Sequence, residues 1–542
     1  MITGEGTDKM KSPLIAVMGV ALVGFFGAWA QGSATGSVST STTTTTVGGT
    51  SAEVAASAAG SAGGGVGFEG SLGSVTVGNE QWTRMAFGVE APIWRFGVFF
   101  DIELYLDQNG NPTNLGWDFK NEPLEAITRK IRYIRYGQEQ DPLFIKVGGL
   151  SDVTLGYGFI VDRFTNMLHY PDQKPLGVQL NLNRLTALDA SFQFMLADAD
   201  ELRSYYDGGI GAARFALRPL KQMGIPFFGG LQVGATYALD RNVYASARDW
   251  QPTANESLIQ SFQDSGLLTN PKVVNVLNDN GYNVESTVAQ IDSENAARSR
   301  VRSFGIYGFD LCQPIIGGPP LSLDLYGQTG MRNDSVLGWG FGAPGVAIKV
   351  WRLNAALEYR HTEGRFEPGF FGPYYMDERL VRYPTIYTKA DSLPSGERNG
   401  AFGRMGLDAG SFMSVSGAYQ YMAGRGDSSK DQRFEATAAL GSIIVNRIPR
   451  LKRLEAYIYK INIGSDITRY DTAGAPILNA AGRPTYDRFF ERTSDMYYGY
   501  RFGFAITQGA TLIWDSRFGF TRDSRGNLTP NNNIIVQTAF TF

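Results

Sequence analysis

Cysteine and histidine are almost missing from this 542-residue chain, which carries one Cys, at position 312, and two His, at 169 and 361. A lone cysteine excludes an internal disulfide framework, so an exported chain of this size must be held together by burial or by lipid. His169, in the stretch MLHYPD, has no metal-ligand spacing, and neither a zinc motif nor a phosphate loop is present, so no metal or cofactor is expected. Charge is also scarce. Charged residues make up 19%, against roughly 25% in soluble domains, and 49 Lys and Arg against 52 Asp and Glu leave a net charge of −3. That balance excludes a basic nucleic-acid binder and an acidic disordered chain. Long apolar runs are limited to one, Leu14 to Ala30.

What is abundant is glycine, 66 residues, and aromatic side chains, 13%. The apolar run follows Lys9 and Lys11 and closes on the small-x-small triplet Ala28, Trp29, Ala30, so residues 1–30 read as an export signal. Residues 31–67 are Ser, Thr, Gly, Ala and Val with a single acid, Glu53, a composition that cannot bury a core and reads as a flexible segment. Residues 68–542 are the expected folded body.

That body alternates apolar and polar residues with the period of a strand that has two unlike faces. Between Arg95 and Asp107, Phe96, Val98, Phe100, Ile102, Leu104 and Leu106 share one face, and Asp101 and Glu103 share the other. Trp351 to Arg360 and Tyr498 to Ile506 repeat the pattern. Runs of roughly 9–13 residues suit a tilted bilayer crossing better than the 5–6 residues of a soluble strand. Short links alternate with long ones, as periplasmic turns alternate with external loops in an outer-membrane barrel, and the strands they separate number about 20, with 16–22 compatible. The expected fold is therefore all-β, a transmembrane antiparallel up-and-down barrel in contact with outer-membrane lipid.

At the end of the chain, Ile534, Val536, Phe540 and Phe542 place large apolar residues at alternate positions before a terminal aromatic. This resembles the assembly signal of bacterial outer-membrane β-barrel proteins. The resemblance implies that the barrel-assembly machinery reads these residues, and it selects no substrate family.

If the apolar rows face lipid, the opposite rows face a lumen. They nominate Arg84, Arg95, Asp101, Glu103, Asp324, Gln328, Glu358, Arg360, Arg501, Asp515 and Arg517 as pore-lining. Mixed signs suit a weakly selective aqueous passage for small solutes, although opposite charges on neighbouring strands can equally pair with one another. Leu150 to Asn166 contains Gly156 and Gly158; it is expected either to continue a strand above the membrane or to fold inward as a constriction carrying Asp152, Asp162 and Arg163. Arg241 to Ser299 is too long for a simple loop and has helix-like stretches at Glu256 to Phe262 and Val288 to Arg298. Arg425, Gly426 and Asp427 resemble the tripeptide of integrin ligands, which opens a second function class, a surface barrel that binds a host or matrix partner through its loops. His361 near Glu358 and Glu363 has no nucleophile placed beside it, so a rim histidine with a structural hydrogen bond is expected in place of an enzyme.

Overall fold

The computed structural model describes residues 67–540 apart from 78–79, 107–110, 112–129, 169–173, 205–206, 226, 251, 319, 383–385, 425–429, 465–476, 480–481, 483–484, 508–509 and 523–527. The expected signal and most of the flexible segment lie outside these residues.

Alternating faces produce one antiparallel sheet of twenty strands. In chain order they are β1 (Gly67–Val77), β2 (Glu80–Ile93), β3 (Phe96–Leu106), β4 (Ile131–Tyr136), β5 (Leu143–Gly148), β6 (Gly177–Leu182), β7 (Ser191–Leu196), β8 (Ile210–Leu217), β9 (Gln232–Asp240), β10 (Phe304–Ile316), β11 (Leu321–Arg332), β12 (Gly338–Val350) and β13 (Leu353–Gly364). A two-stranded ribbon, β14 (Leu380–Val381) and β15 (Tyr387–Thr388), interrupts the series before β16 (Arg398–Asp408), β17 (Met413–Gly424), β18 (Asp431–Leu440), β19 (Leu451–Lys460), β20 (Met496–Thr507), β21 (Ala510–Arg522) and β22 (Leu528–Phe540). Each strand of the large sheet pairs with the next, and β13 pairs with β16 across the ribbon. The first and last strands, β1 and β22, are neighbours, with Cα atoms within 8 Å.

The two rows of each strand differ in exposure as their chemistry requires. On β10, Tyr307, Phe309 and Leu311 are exposed while Ile306, Asp310 and Cys312 are buried; on β13, Leu357 and Tyr359 are exposed while Glu358, Arg360 and Thr362 are buried. Leu357 is 62% exposed and Glu358 1%. Apolar side chains therefore face outward over much of the sheet, and charge faces inward. Exposed large apolar side chains recur on neighbouring strands, among them Phe309, Leu325 and Leu357.

Not every strand has the length expected for a crossing. β4 to β7 have six residues each. At β5 the reason is local. Gly148 takes φ +115, a conformation closed to side chains, and a Cβ there would lie 2.2 Å from the Arg132 carbonyl oxygen. The chain leaves the wall at this point and turns inward.

Arg241 to Ser299 holds three helices, α1 (Ala254–Asp264), α2 (Pro271–Asp279) and α3 (Val284–Ser299). The expected helical stretches fall inside α1 and α3. α2 was not anticipated, since its sequence PKVVNVLND offers less than three turns of pattern, and it starts where the Asn270 side chain accepts from the Lys272 amide with Pro271 in the first turn. Ile259, Leu277, Val284 and Ile291 form a small core of their own. Thr253 opens α1 with a reciprocal cap: its hydroxyl accepts from the Glu256 amide, and the Glu256 carboxylate accepts from the Thr253 amide at 2.7 Å. Thr253→Ala should cost about 1 kcal/mol locally. Hydrogen exchange should show faster amides in the first turn of α1 and unchanged β-strand amides; unchanged α1 amides would refute the cap's contribution.

Candidate functional site

The inward rows carry charges that find their partners within the sheet or on the connections packed against it. Arg501 grips Asp515 through Nε and Nη2 at 3.0 and 2.7 Å and approaches Glu455 at 3.4 Å. Lys174, from the β5–β6 connection, bridges Glu103 at 2.8 Å and Asp101 at 3.4 Å. Arg214 on β8 spans β9 to reach Asp310 on β10 at 2.6 and 3.0 Å. Gly234 on β9 makes that span possible, since a Cβ there would sit 2.5 Å from an Asp310 oxygen. A longer network starts at Gln328, which donates to Glu358 at 2.8 Å. Arg360 binds both Glu358 and Gln420, and Gln420 donates to Asp431 at 2.8 Å. Arg433 takes Asp431 at 3.0 Å and Glu367 at 2.8 Å.

Nine of the eleven nominated lining residues have described side chains, and eight of these lie on the inner face. Asp101, Glu103, Gln328, Glu358, Arg360, Arg501 and Asp515 are buried on the inner face, and Asp324 is half-buried on it. Arg84 and Arg517 occupy inner-row positions of the ladder, opposite Tyr105 and Gly499, with side chains outside the described residues. That leaves Arg95, counted above among the lining candidates but not on the inner face. It sits exposed in the β2–β3 turn, with its guanidinium 5.9 Å from the Trp94 ring, because the hairpin reverses at Trp94 and Arg95 and removes both from either row.

The segment after β5 is neither a strand nor an upward extension. Residues 149–168 pack against the inner rows, with Leu150, Val153, Leu155, Phe159, Ile160, Val161 and Phe164 buried. Only isolated bridges occur, Val153 to Phe164 and Val161 to Phe371. Gly156 and Gly158 both take positive φ and let the tip reverse. Tyr157 at the tip stacks on Tyr326 of β11 at 3.9 Å, and its hydroxyl donates to Cys312 Sγ at 2.8 Å. Asp162 and Arg163 reach different strands: Asp162 pairs with Arg404 on β16, and Arg163 with Glu435 on β18. Arg163 does so from φ 51, a left-handed conformation that costs a side-chain-bearing residue roughly 1–2 kcal/mol. Burial opposes its charge, but Glu435, Asp162 and Asp152 outweigh it and push the guanidinium pKa up. Asp152 itself is exposed.

A second inward loop, residues 365–397, packs on the first. Phe366 meets Phe159 at 5.7 Å, Phe370 meets Phe304 at 4.7 Å, and Phe371 meets Tyr375 at 4.8 Å. Each fully buried Phe contributes about 1.5–3 kcal/mol of transfer energy. Its charges are anchored as well: Lys389 pairs with Glu378 at 2.6 Å and Glu367 at 3.0 Å, and fully buried Arg379 pairs with Asp240 at 3.2 Å and donates to the Asn242 carbonyl at 2.6 Å.

Among the described residues, cavities lie between the loops and the wall, two of them sharing lining residues. The larger, about 410 Å³, lies toward the short-turn end and is bordered by Asp324, Lys349, Asn354 and Arg404. The smaller, about 60 Å³, lies deeper, among Asp162, Arg360, Gln420, Arg433 and Lys389. Arg163 and Glu435 line both.

Arg404, Gln420, Arg433, Glu435 and Glu455 were missed in the sequence although the same alternation marks them, for example Arg398, Phe402 and Arg404 along β16. Glu367, Arg379 and Lys389 lie in a loop without period and carried no signal. His361 stands on the outward row, its Nδ1 2.8 Å from Asn399 Oδ1 and its ring 5.1 Å from Phe341. His169 and the Arg425, Gly426, Asp427 stretch lie outside the described residues. Ile534, Val536 and Phe540 fall in β22 opposite Ser516, Trp514 and Ala510, with side chains outside the described residues, as is Phe542 altogether.

Glu201, in the β7–β8 connection, lies 3.6 Å from Arg379. Burial, only partly countered by Arg379 and reinforced by Asp240 and Asp198, pushes its carboxyl up to about 7. A raised folded-state pKa means that the folded loop prefers the protonated acid. Its contribution is complete below the ordinary value of 4.5 and is lost as pH rises toward 7. Exchange protection around Arg379 should therefore fall between pH 4.5 and 7, and Glu201→Gln should flatten that dependence; an unaltered profile in the variant would assign it elsewhere.

No family model and no curated protein matches the chain. Among solved structures, it is similar to Wzi, an outer-membrane protein involved in group 1 capsule assembly in Escherichia coli and a carbohydrate-binding β-barrel (10% identity, 73% of this chain and 80% of that one, TM-score 0.31). It is also similar to the FrpB iron transporter of Neisseria meningitidis (10%, 87% and 74%, TM-score 0.31) and to OpdQ of Pseudomonas aeruginosa (8%, 88% and 94%, TM-score 0.28). The solved structures that this chain resembles are bacterial outer-membrane β-barrel proteins, a general class within which no specific family is singled out.

Proposed function

We propose that the sheet closes through its neighbouring first and last strands into an outer-membrane barrel that lets small polar solutes pass along a constricted, mixed-charge lumen. The observation that carries this reading is the opposite chemistry of the two rows: exposed Phe309, Leu325 and Leu357 suit lipid, whereas Asp310, Glu358 and Arg360 are buried on the opposite row. Short turns would then face the periplasm and long connections the outside. The two inward loops argue against a wide open pore, so the passage is narrow and any current small.

A second reading has its own support. The aromatic core of residues 150–164 and 366–375, together with the three-helix insertion, fills the long-loop end. Such a cap also suits a surface barrel whose loops hold a partner.

Planar-bilayer recording of the refolded chain separates the two. Small stepwise openings are expected, and deletion of residues 366–397 should enlarge them several-fold; a silent protein that stays silent after the deletion would favour the surface-binding reading. The membrane assignment has an independent measurement. Leu357→Arg should destabilise the lipid-inserted state by about 2–4 kcal/mol in denaturant titrations from liposomes if position 357 lies near mid-bilayer, while Glu358→Gln next to it should leave insertion intact. Equal effects would overturn the assignment of faces.

A further inference from the structure

The two cavities are separated by the Arg163 and Glu435 side chains, which line both and pair with each other. Beside them stands a second pair of the same composition, Asp162 with Arg404, also shared between the loop and the wall. In both pairs one partner comes from the inward loop and the other from the sheet, so a single displacement of the loop would open both pairs and join the two cavities. The larger cavity also carries Asp324 and Lys349, neither of which has an ion-pair partner among the described residues.

We propose that this double ion pair is a binding site for a small zwitterion, a molecule carrying one carboxylate and one ammonium group a few bonds apart. The inference rests on the lumen being a solute path. Its basis is charge compensation in confined space. A neutral solute entering between Arg163 and Glu435 would leave both charges buried without partners. A simple anion would satisfy Arg163 and strand Glu435, and a simple cation would do the reverse. A zwitterion satisfies both at once, with its carboxylate on Arg163 or Arg404 and its ammonium on Glu435 or Asp162. Asp324 and Lys349 offer the same two charges earlier in the larger cavity. Arg163's left-handed backbone holds the loop's half of the site in a conformation that release would relax.

The test uses the full chain, refolded in detergent, and four probes built on the glycyl unit: glycylglycine, the anion N-acetylglycine, the cation glycinamide and neutral N-acetylglycinamide. Equilibrium dialysis should show at least tenfold preference for glycylglycine. Glu435→Gln, which leaves Arg163 without its partner, should shift preference toward N-acetylglycine, and Arg163→Gln should shift it toward glycinamide. Shifts of opposite sign cannot come from misfolding. Equal binding of all four probes by the unaltered chain, or shifts of the same sign in the two variants, would overturn the proposal. Bilayer recording in parallel keeps the two readings apart: selective binding without conductance retains the site and refutes the channel, while conductance without selective binding does the opposite.

Discussion

A charge on the inner face of this sheet has few places to go. The outward row is largely apolar on strands such as β10, β11 and β20, so the polar groups of the inward row must satisfy one another, water, or whatever segment is brought in among them. Arg214 with Asp310, Arg501 with Asp515 and Glu455, and the line from Gln328 through Glu358, Arg360, Gln420 and Asp431 to Arg433 are local answers to that requirement. Buried pairs of this kind add little net stability over a packed apolar interior, but losing one partner is costly. They act as fixed points, and the placement of both inward loops follows from them.

The loops depend on these fixed points in different ways. Residues 149–168 leave the wall at Gly148, whose φ of +115 lets the chain turn, and their charged pair, Asp162 and Arg163, ends on Arg404 and Glu435. Residues 365–397 are held largely by their aromatic rings, with Lys389 and Arg379 extending the ionic network into the loop itself. The inner row therefore carries paired charge, and the space where the two loops meet is apolar. Both cavities border the charged wall, and Arg163 and Glu435 line each of them.

The rows themselves were legible from period-two alternation, and Asp101, Glu103, Glu358, Arg360, Arg501 and Asp515 face inward where that pattern puts them. Arg95 shows its limit: alternation continues on paper through a turn, whereas a reversing backbone belongs to neither face. The shortness of β4 to β7 and the inward course of residues 149–168 were not legible, because the glycines that permit an inward turn read the same as those of an ordinary loop.

Alone, the chain's pattern determined which residues share a face, the approximate number of strands, and the order of short and long connections, since these follow from neighbours a few residues apart. Only the tertiary structure decided which charges meet. Arg163 and Glu435 are 272 positions apart and Asp162 and Arg404 are 242 apart. No local period encodes such a pairing, because it exists only once a loop has been carried against the inner face of the sheet.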